Sequence, residues 1–219
     1  ISSKDDFVWY LSVQDICRIG KLFVDGIINT TKIISMGGPS CKKPTYLEIY
    51  DGTSISHIND ELELNIDDSC VLISGSVLSG KYINIEESLN FYHESLSMLR
   101  NSKERHFLGW LLPGFDKFTL TNTFVSKLFN SNHNINNNMK NGSNRAIVPI
   151  GLWEQVLPMD ILPNFLIRSI LASDIEDMEK LGIYECSPDD FALCSLICQS
   201  KTEVSQIIQE GLDLMYEES

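Results

Sequence analysis

Nowhere does this chain gather the roughly 20 consecutive apolar residues that a membrane-spanning helix needs, so no direct membrane span is expected. Positive charge is also scarce: 17 Lys and Arg stand against 30 Asp and Glu, a formal net charge of −13. Phosphate backbones are held by clustered cations, and no Lys/Arg block is visible, so no nucleic-acid partner is expected. The same balance argues against adhesion to anionic lipid. The four histidines, His57, His93, His106 and His133, are scattered, and none sits at ligand spacing with another His or a Cys. No G-x-S-x-G nucleophile motif is present. The segment Ile1-Ser2-Ser3-Lys4-Asp5-Asp6 has neither the basic start nor the apolar block of a signal peptide, and no initiator Met. A fragment or a processed chain is expected, with the cytoplasm as the default compartment.

What is there suits a folded domain or two. The 219 residues are 43% hydrophobic and 21% charged, and a chain of this size buries about 70% of its unfolded surface. Six cysteines occur: Cys17, Cys41, Cys70, Cys186, Cys194 and Cys198. The first three sit in or beside apolar runs and read as buried free thiols. A disulfide framework is not expected.

Along the chain, Phe7, Val8 and Tyr10 read as strand-like. Ser12 is placed to cap a helix through Ile16, Ile19, Leu22 and Phe23 that stops at Asp25-Gly26. Strands are expected at Lys32–Met36, Tyr46–Tyr50 and Val71–Gly75, with a short helix from Ser54 to Leu62. That order suits a small β-grasp module. Leu96–Arg100 and Phe107–Leu112 read as extended, and the Pro113-Gly114 turn leads to Lys117–Leu120. Thr121 or Thr123 then starts a short helix through Leu128. From Asn130 to Asn144, eight of fifteen residues are Asn, the composition of a mobile surface loop. Beyond Pro158 the pattern turns helical. One helix carries Phe165, Leu166, Ser169 and Ile170, and a second is capped by Ser173. A third starts at Ser187-Pro188-Asp189-Asp190, and a last one runs from Thr202 with Val204, Ile207, Ile208, Leu212 and Met215 on one face.

Three features invite a chemical reading. Cys194 and Cys198 are four apart, so a shared helix face is expected. They match only the last pair of the C-x2-C-x2-C-x3-C-P cluster run. The upstream ligand positions hold Phe191 and Pro188, and Gln199 follows where Pro would stand. Two thiolates do not fill a tetrahedral site, so packing is the expected role. Gly75-Ser76-Val77-Leu78-Ser79-Gly80-Lys81 matches G-x4-G-K, but Tyr82 stands where a P-loop needs Ser or Thr for Mg²⁺. Glu86-Glu87 and Asp67-Asp68 read as solvated pairs. Trp110, Pro113, Phe115 and Phe118 form an aromatic turn, expected in a core and a docking patch wherever exposed.

Several separated segments carry a family resemblance: Ile19–Gly26, Ile73–Leu78, Phe107–Trp110 with Pro113-Gly114, Asn141–Pro163, and Ala192–Cys194 with Cys198. In this order they resemble the C-terminal half of the NqrA family, one of the subunit families of bacterial sodium-translocating NADH:quinone oxidoreductases. The resemblance implies an α+β fold: a β-grasp domain of the soluble-ligand-binding type, then a mixed segment, then a C-terminal helical bundle. Its boundaries would be 1–20 for the end of a Rossmann-like domain, 21–90 for the β-grasp domain, 91–154 for the mixed segment with the Asn-rich loop at 130–144, and 155–219 for the helical domain. The family is related to the NADH- and FMN-binding subunit of respiratory complex I, whose helical domain holds a cluster that NqrA-like chains lack. The missing proline after Cys198 is a further departure.

The resemblance further implies a peripheral, non-catalytic subunit on the cytoplasmic side of the inner membrane. Its partners would be the other subunits, the membrane-embedded NqrB above all, with ubiquinone possible. The whole complex uses NADH, flavins, an iron–sulfur centre and ubiquinone, while this chain is expected to bind no cofactor, to hold no metal and to carry no catalytic residue. Trp110, Phe115 and Arg145 are the expected partner contacts, on an aromatic turn and beside a boundary loop. The rival expectations are a cluster-carrying electron-transfer subunit of a related complex, and a free-standing β-grasp ligand-binding module.

Overall fold

A computed structural model describes residues 8–64, 66, 69–101, 108–109, 111–115, 124–128, 143 and 145–218. The chain divides into two compact units, Leu11–Asn141 and Gly142–Ser219, the latter grouped with Ile1–Tyr10. Each carries its own apolar core.

Helix α1 spans Val13–Asp25, and its ends are written in the sequence. The Ser12 hydroxyl accepts from the Asp15 N–H at 3.1 Å, and the Asp15 carboxylate reaches back to the Ser12 N–H, a reciprocal capping box. Gly26, at φ 70°, closes the other end and donates to the Leu22 carbonyl. Ahead of it, Val8–Leu11 form no strand, against expectation. Val8, Trp9 and Tyr10 are exposed and no strand pairs with them, and an unpaired extended segment has no ladder to hold it. Phe7 lies outside the described residues.

Five strands form one mixed sheet in the order β2-β1-β5-β3-β4. They are β1 Thr31–Gly37, β2 Thr45–Tyr50, β3 Cys70–Ser74, β4 Lys81–Ile83 and β5 Ser95–Arg100. The expected strands at 32–36, 46–50, 71–75 and 96–100 are all present within a residue. Alternation along β1 buries Lys32, Ile34 and Met36 and turns Thr31, Ile33 and Ser35 the other way. Helix α2, Ile55–Leu62, lies between β2 and β3 in sequence, is capped by Ser54, and buries Ile55 and Ile58. Its core partners include Leu72, Leu89, Leu96 and Met98.

The centre of the sheet is its least regular part. β1 pairs with β2 along Thr31–Met36, but parallel with β5 only at Ser35, Met36 and Gly37. The first half of β1 therefore has one open side, and side chains fill it. The Gln14 amide accepts from the Ile33 N–H and donates to the Ile33 carbonyl, both at 2.8 Å. One amide does what a strand residue would do. The Arg18 guanidinium donates to the Thr31 carbonyl at 2.9 Å, and the Thr31 N–H goes to the Asn29 side chain. Every backbone group on that side from Thr31 N–H to the Ser35 N–H, which donates to the Glu94 carbonyl, is satisfied. At the same end Lys32, with its side chain 4% exposed, reaches Asp51 at 3.0 Å, an ion pair rather than an aligned hydrogen bond. Its ammonium also donates to the Asn90 and Phe91 carbonyls. Asp51 takes Arg18 as well, at 2.8 Å.

Two sequence expectations in the 101–128 stretch resolve differently. Phe107–Leu112, expected to be extended, is a turn at its described residues: Leu108 has φ 49° and its carbonyl accepts from the Leu111 N–H, while Phe107 and Trp110 lie outside the described residues. The helix expected from Thr121 or Thr123 is, where described, one 3-10 turn at Val125–Lys127. Lys117–Leu120 and the Asn-rich loop, apart from Ser143, lie outside the described residues.

The second unit is helical. It holds α3 Pro163–Leu171, α4 Ile175–Lys180, α5 Ala192–Ile197 and α6 Val204–Glu217. The cap of α4 is Asp174, not Ser173, which takes φ 55° and turns the chain into it. Ser187-Pro188 opens a 3-10 turn before α5, and the Ser187 side chain makes no cap bond. The last helix starts two residues beyond Thr202, behind Glu203 and without a side-chain cap. Phe191, Leu166, Ile167, Met178, Ile183, Val204 and Ile208 close the core. Gly211 lets α6 approach Ile170 closely.

Gln14→Leu removes both bonds to Ile33 while keeping a helix-forming residue. We expect a loss of about 1–2 kcal/mol in urea unfolding, with faster amide exchange at Ile33 and along α1. Unchanged exchange at Ile33 would show that another group satisfies that strand.

Candidate functional site

In the helical unit, a cleft of about 230 Å³ opens between the 145–153 segment, the start of α3 and the chain after α5. Backbone stitching builds it. The Arg145 N–H donates to the Ser200 carbonyl at 3.0 Å, and the Ser200 hydroxyl donates to the Ala146 carbonyl at 2.8 Å. Ile147, Val148, Ile150 and Leu152 then supply aliphatic wall, and Trp153, at 4% exposure, supplies a flat one. Trp153 opens a 3-10 turn, Trp153–Gln155, whose backbone is held by bonds to its own carbonyl from Val156 and Leu157.

Two polar groups distinguish the cleft from a plain apolar groove. Asn164, on the first turn of α3, is 7% exposed, and its amide nitrogen donates to Glu154 at 2.6 Å. A carboxylate neighbour fixes which end of the amide is nitrogen, so Asn164 has its carbonyl oxygen, an acceptor, and its second amide N–H left to offer. Arg145 lines the cleft, is exposed, and makes no ion pair among the described residues. An apolar wall with an indole, a guanidinium donor and a half-hidden amide is chemistry that suits a flat molecule carrying oxygen. Among the described residues that line it, no nucleophile stands with a base.

Two cysteines of the helical unit are buried in its core. Cys194 is fully buried and Cys186 nearly so. Burial pushes the Cys186 thiol up to about 12, with Asp190 and Glu185 adding to it. Burial likewise takes Cys194 up to about 11, with Glu154 and Cys198 adding. Both are neutral thiols at physiological pH. Cys194 and Cys198 do not share a helix face as expected: α5 ends at Ile197, and Cys198 has extended backbone at the rim of the cleft. Among the described residues no three His, Cys, Asp or Glu side chains lie together as a metal site. Cys17, expected to be buried, is exposed on α1, and Cys41 and Cys70 are half-buried.

The other sequence motifs take structural places. Gly75–Lys81 is the tight connection between β3 and β4, where Ser74 pairs with Lys81 and Ser76 accepts from Ser79 and Gly80. Glu86 and Glu87 are exposed, and Glu87 caps the Asn84 backbone at 3.0 Å. His93 shares a hydrogen bond with the buried Ser74 hydroxyl at 2.9 Å. Asp67-Asp68, His106 and His133 lie outside the described residues. Of the three expected contact residues, Arg145 lines the cleft, and Phe115 is exposed in the sheet-bearing unit rather than in a core. Trp110, like Phe118, lies outside the described residues. The sequence reading did not single out Trp153, Asn164 or Ser200. A buried Asn on the first turn of a helix, behind Pro163, is the signal that was available.

Known proteins resemble this chain strongly. Residues 33–84 match a family described as the NQRA C-terminal domain. A protein of Histophilus somni, named as the A subunit of a Na(+)-translocating NADH-quinone reductase, is 39% identical over 216 residues, which is 96% of this chain and 47% of that protein. Subunits of the same name from Shewanella frigidimarina and Pasteurella multocida are each 36% identical, over 96% and 99% of this chain and 47% and 48% of their own. The chain thus spans about half the length of the curated relatives it matches.

The raised thiols carry a pH signature. A group whose pKa is higher folded than unfolded stabilises the fold below its unfolded pKa and loses that contribution as pH climbs through the folded one. We expect urea stability to fall as pH rises from about 9 towards 11 and 12. Replacing Cys194 by Ala should blunt that fall. A wild-type stability flat across this window would contradict the assignment.

Proposed function

Because the chain belongs to the NqrA family of Na(+)-translocating NADH-quinone reductases, we propose that it is a peripheral, non-catalytic part of such a pump. The complex would oxidise NADH, reduce ubiquinone and export Na⁺ across a bacterial inner membrane, with this chain on the cytoplasmic side. The observation that carries the reading is the match to the named subunits along at least 96% of the chain. No helix among the described residues is long and apolar enough to cross a membrane, which agrees with attachment through other subunits, NqrB first among them. The flavins and the iron–sulfur centre would belong to those subunits.

The sheet-bearing unit is proposed as a β-grasp domain. Its strand order, its parallel β1–β5 pair and the single helix between β2 and β3 support that reading. Because α1 crosses residue 20 and β5 lies beyond residue 90, this domain is proposed to run from α1 through β5 rather than over 21–90, with the helical domain from about residue 155.

Within the protein, the cleft is proposed as the quinone-associated element. A quinone head group is flat and apolar with two oxygens. Trp153 and the aliphatic wall suit its ring, Arg145 suits a carbonyl oxygen, and the Asn164 carbonyl suits the hydroxyl of the reduced form.

Alanine at Phe115, Arg145 and Trp110 together should lower copurification with the membrane subunits, while iron, sulfide and flavin in this chain stay near zero. Full copurification would remove these residues from the interface. Iron and sulfide near one cluster per chain would instead favour an electron-transfer subunit, and a chain that never copurifies would favour a free-standing ligand-binding module. For the cleft, a short-chain quinone should quench Trp153 emission saturably in a Trp9→Phe, Trp110→Phe background. Arg145→Ala should weaken that binding at least about tenfold, the worth of one charge-assisted hydrogen bond. Equal quenching with and without Arg145 would sink the cleft assignment.

A further inference from the structure

Cys198 is the least enclosed cysteine of the helical unit. Cys194 is fully buried with its thiol donating to the Trp153 carbonyl, and Cys186 is buried with its thiol on the Gly182 carbonyl. Cys198 is half-buried and lines the cleft, and its thiol makes no hydrogen bond or ion pair among the described residues. Its position has a local cause. α5 ends at Ile197, and Cys198, at φ −63° and ψ 111°, leaves the helix direction. The Cys198 carbonyl accepts from the Lys201 N–H, which folds Gln199 and Ser200 into a turn along the cleft. Ser200 in turn accepts from the Arg145 N–H and donates to the Ala146 carbonyl, so the segments that carry Cys198 and Arg145 are stitched to each other. A second feature points to a ligand. Asn164 is 7% exposed and lines the same cleft, with its nitrogen on Glu154 and its carbonyl oxygen without a partner among the described residues. Buried polar atoms are normally paired, so this oxygen is an open place for a donor.

We propose that Cys198 is a covalent capture site for quinones that keep a hydrogen on the quinone ring. The inference rests on the quinone reading of the cleft and deepens it, because it separates the quinones that pass from those that are trapped. The step is a conjugate addition. The Cys198 sulfur bonds to the unsubstituted ring carbon, and the C=C pair moves onto the conjugated carbonyl oxygen, which takes up the thiol proton. The hydrogen of the attacked carbon then leaves as a proton, and the second oxygen gains one. The product is a hydroquinone thioether. No outside oxidant, reductant or leaving group is needed, since the carbon that exchanges hydrogen for sulfur is oxidised as the two carbonyls are reduced. Arg145 lines the same cleft, makes no ion pair among the described residues, and suits the negative charge that grows on the oxygen during the addition. Holding the ring against the thiol raises the effective concentration of the electrophile. A ring substituted at every carbon, as in ubiquinone, has no hydrogen to lose and forms no such product, so it enters and leaves unchanged. A captured ring fills the cleft and closes it.

The exposed Cys17 on α1 is the internal reference, in the 219-residue chain. Menadione, a naphthoquinone with one hydrogen on its quinone ring, is the probe. Iodoacetamide is the thiol reagent with no ring for the cleft to hold, and mass spectrometry reads each cysteine. Menadione should favour Cys198 over Cys17 at least about tenfold more than iodoacetamide does, and its rate at Cys198 should saturate with concentration. Duroquinone, the tetramethyl benzoquinone, should form no adduct, should protect Cys198 from menadione and should leave Cys17 labelling unchanged. Arg145→Ala should slow menadione at Cys198 about tenfold while iodoacetamide labelling there stays the same, a split that a merely structural role would not give. The inference and the reading beneath it fail differently. Saturable quenching of Trp153 by duroquinone in the Trp9→Phe, Trp110→Phe background, with menadione no more selective than iodoacetamide, would overturn the inference and keep the cleft reading. Neither quenching nor protection would overturn both. An adduct at Cys198 that forms without saturation and without protection would mark an accessible thiol only, and would also overturn the inference.

Discussion

The short parallel contact between β1 and β5 is the constraint on which the sheet-bearing unit depends. Three residues of pairing leave half of a central strand with open hydrogen-bonding groups, and a central strand is not solvated on its open side. The fold answers with side chains from α1 rather than with more strand. This fixes where α1 lies and which way it is turned. Gln14 and Arg18 must face β1, so Ile16, Phe23 and Val24 must face away. The apolar stripe is thus a consequence of backbone accounting, not an accident of a surface helix.

Charge follows the same economy. The chain is strongly acidic, yet two of its cations converge on one carboxylate, Asp51. Burying Lys32 is costly on its own, since an ammonium loses its hydration. Asp51 and the Asn90 and Phe91 carbonyls replace that shell and tie β1 to the turn before β5. Arg18, stacked 5.8 Å over the Phe91 ring, joins the same knot from α1. Arg145 in the other unit has no carboxylate partner among the described residues and faces an apolar cleft. A guanidinium without an ion-pair partner among the described residues, on a cleft that Trp153 also lines, is proposed as the ligand-facing cation, where Arg18 is committed to structure.

The sequence was legible where local chemistry decides. Ser12 and Gly26 close α1, Ser54 caps α2, and alternation with turn signals found the strands. It was less legible where tertiary packing decides. Ser187-Pro188-Asp189-Asp190 has every sign of a helix start, but a 3-10 turn follows, without a Ser187 side-chain cap and ending at the buried Phe191. Leu108 adopts a left-handed backbone that no leucine signals in advance. The side-chain completion of β1 left no trace, because Gln14 on a helix looks like any solvated position. The cleft was invisible for the same reason: Arg145, Trp153, Asn164 and Ser200 are brought together by bonds between distant backbones, not by spacing. The family resemblance, carried by separated segments, reached further than any motif, and it needed no geometry.

The cluster question shows how packing and chemistry compete for one position. A C-x2-C-x2-C-x3-C run ending at Cys198 would put a thiolate where Phe191 stands. Phe191 is fully buried and is the largest such side chain described. Removing most of a buried aromatic ring costs about 3–5 kcal/mol, a large share of a domain's stability. A thiolate at that position would therefore empty the core before it built a site. Cys194, neutral and packed against the Trp153 carbonyl, completes the same core. In the helical unit these two positions are given to packing, with Phe191 and Cys194 both fully buried, and the polar groups at hand, Asn164 and Arg145, stand at the cleft instead.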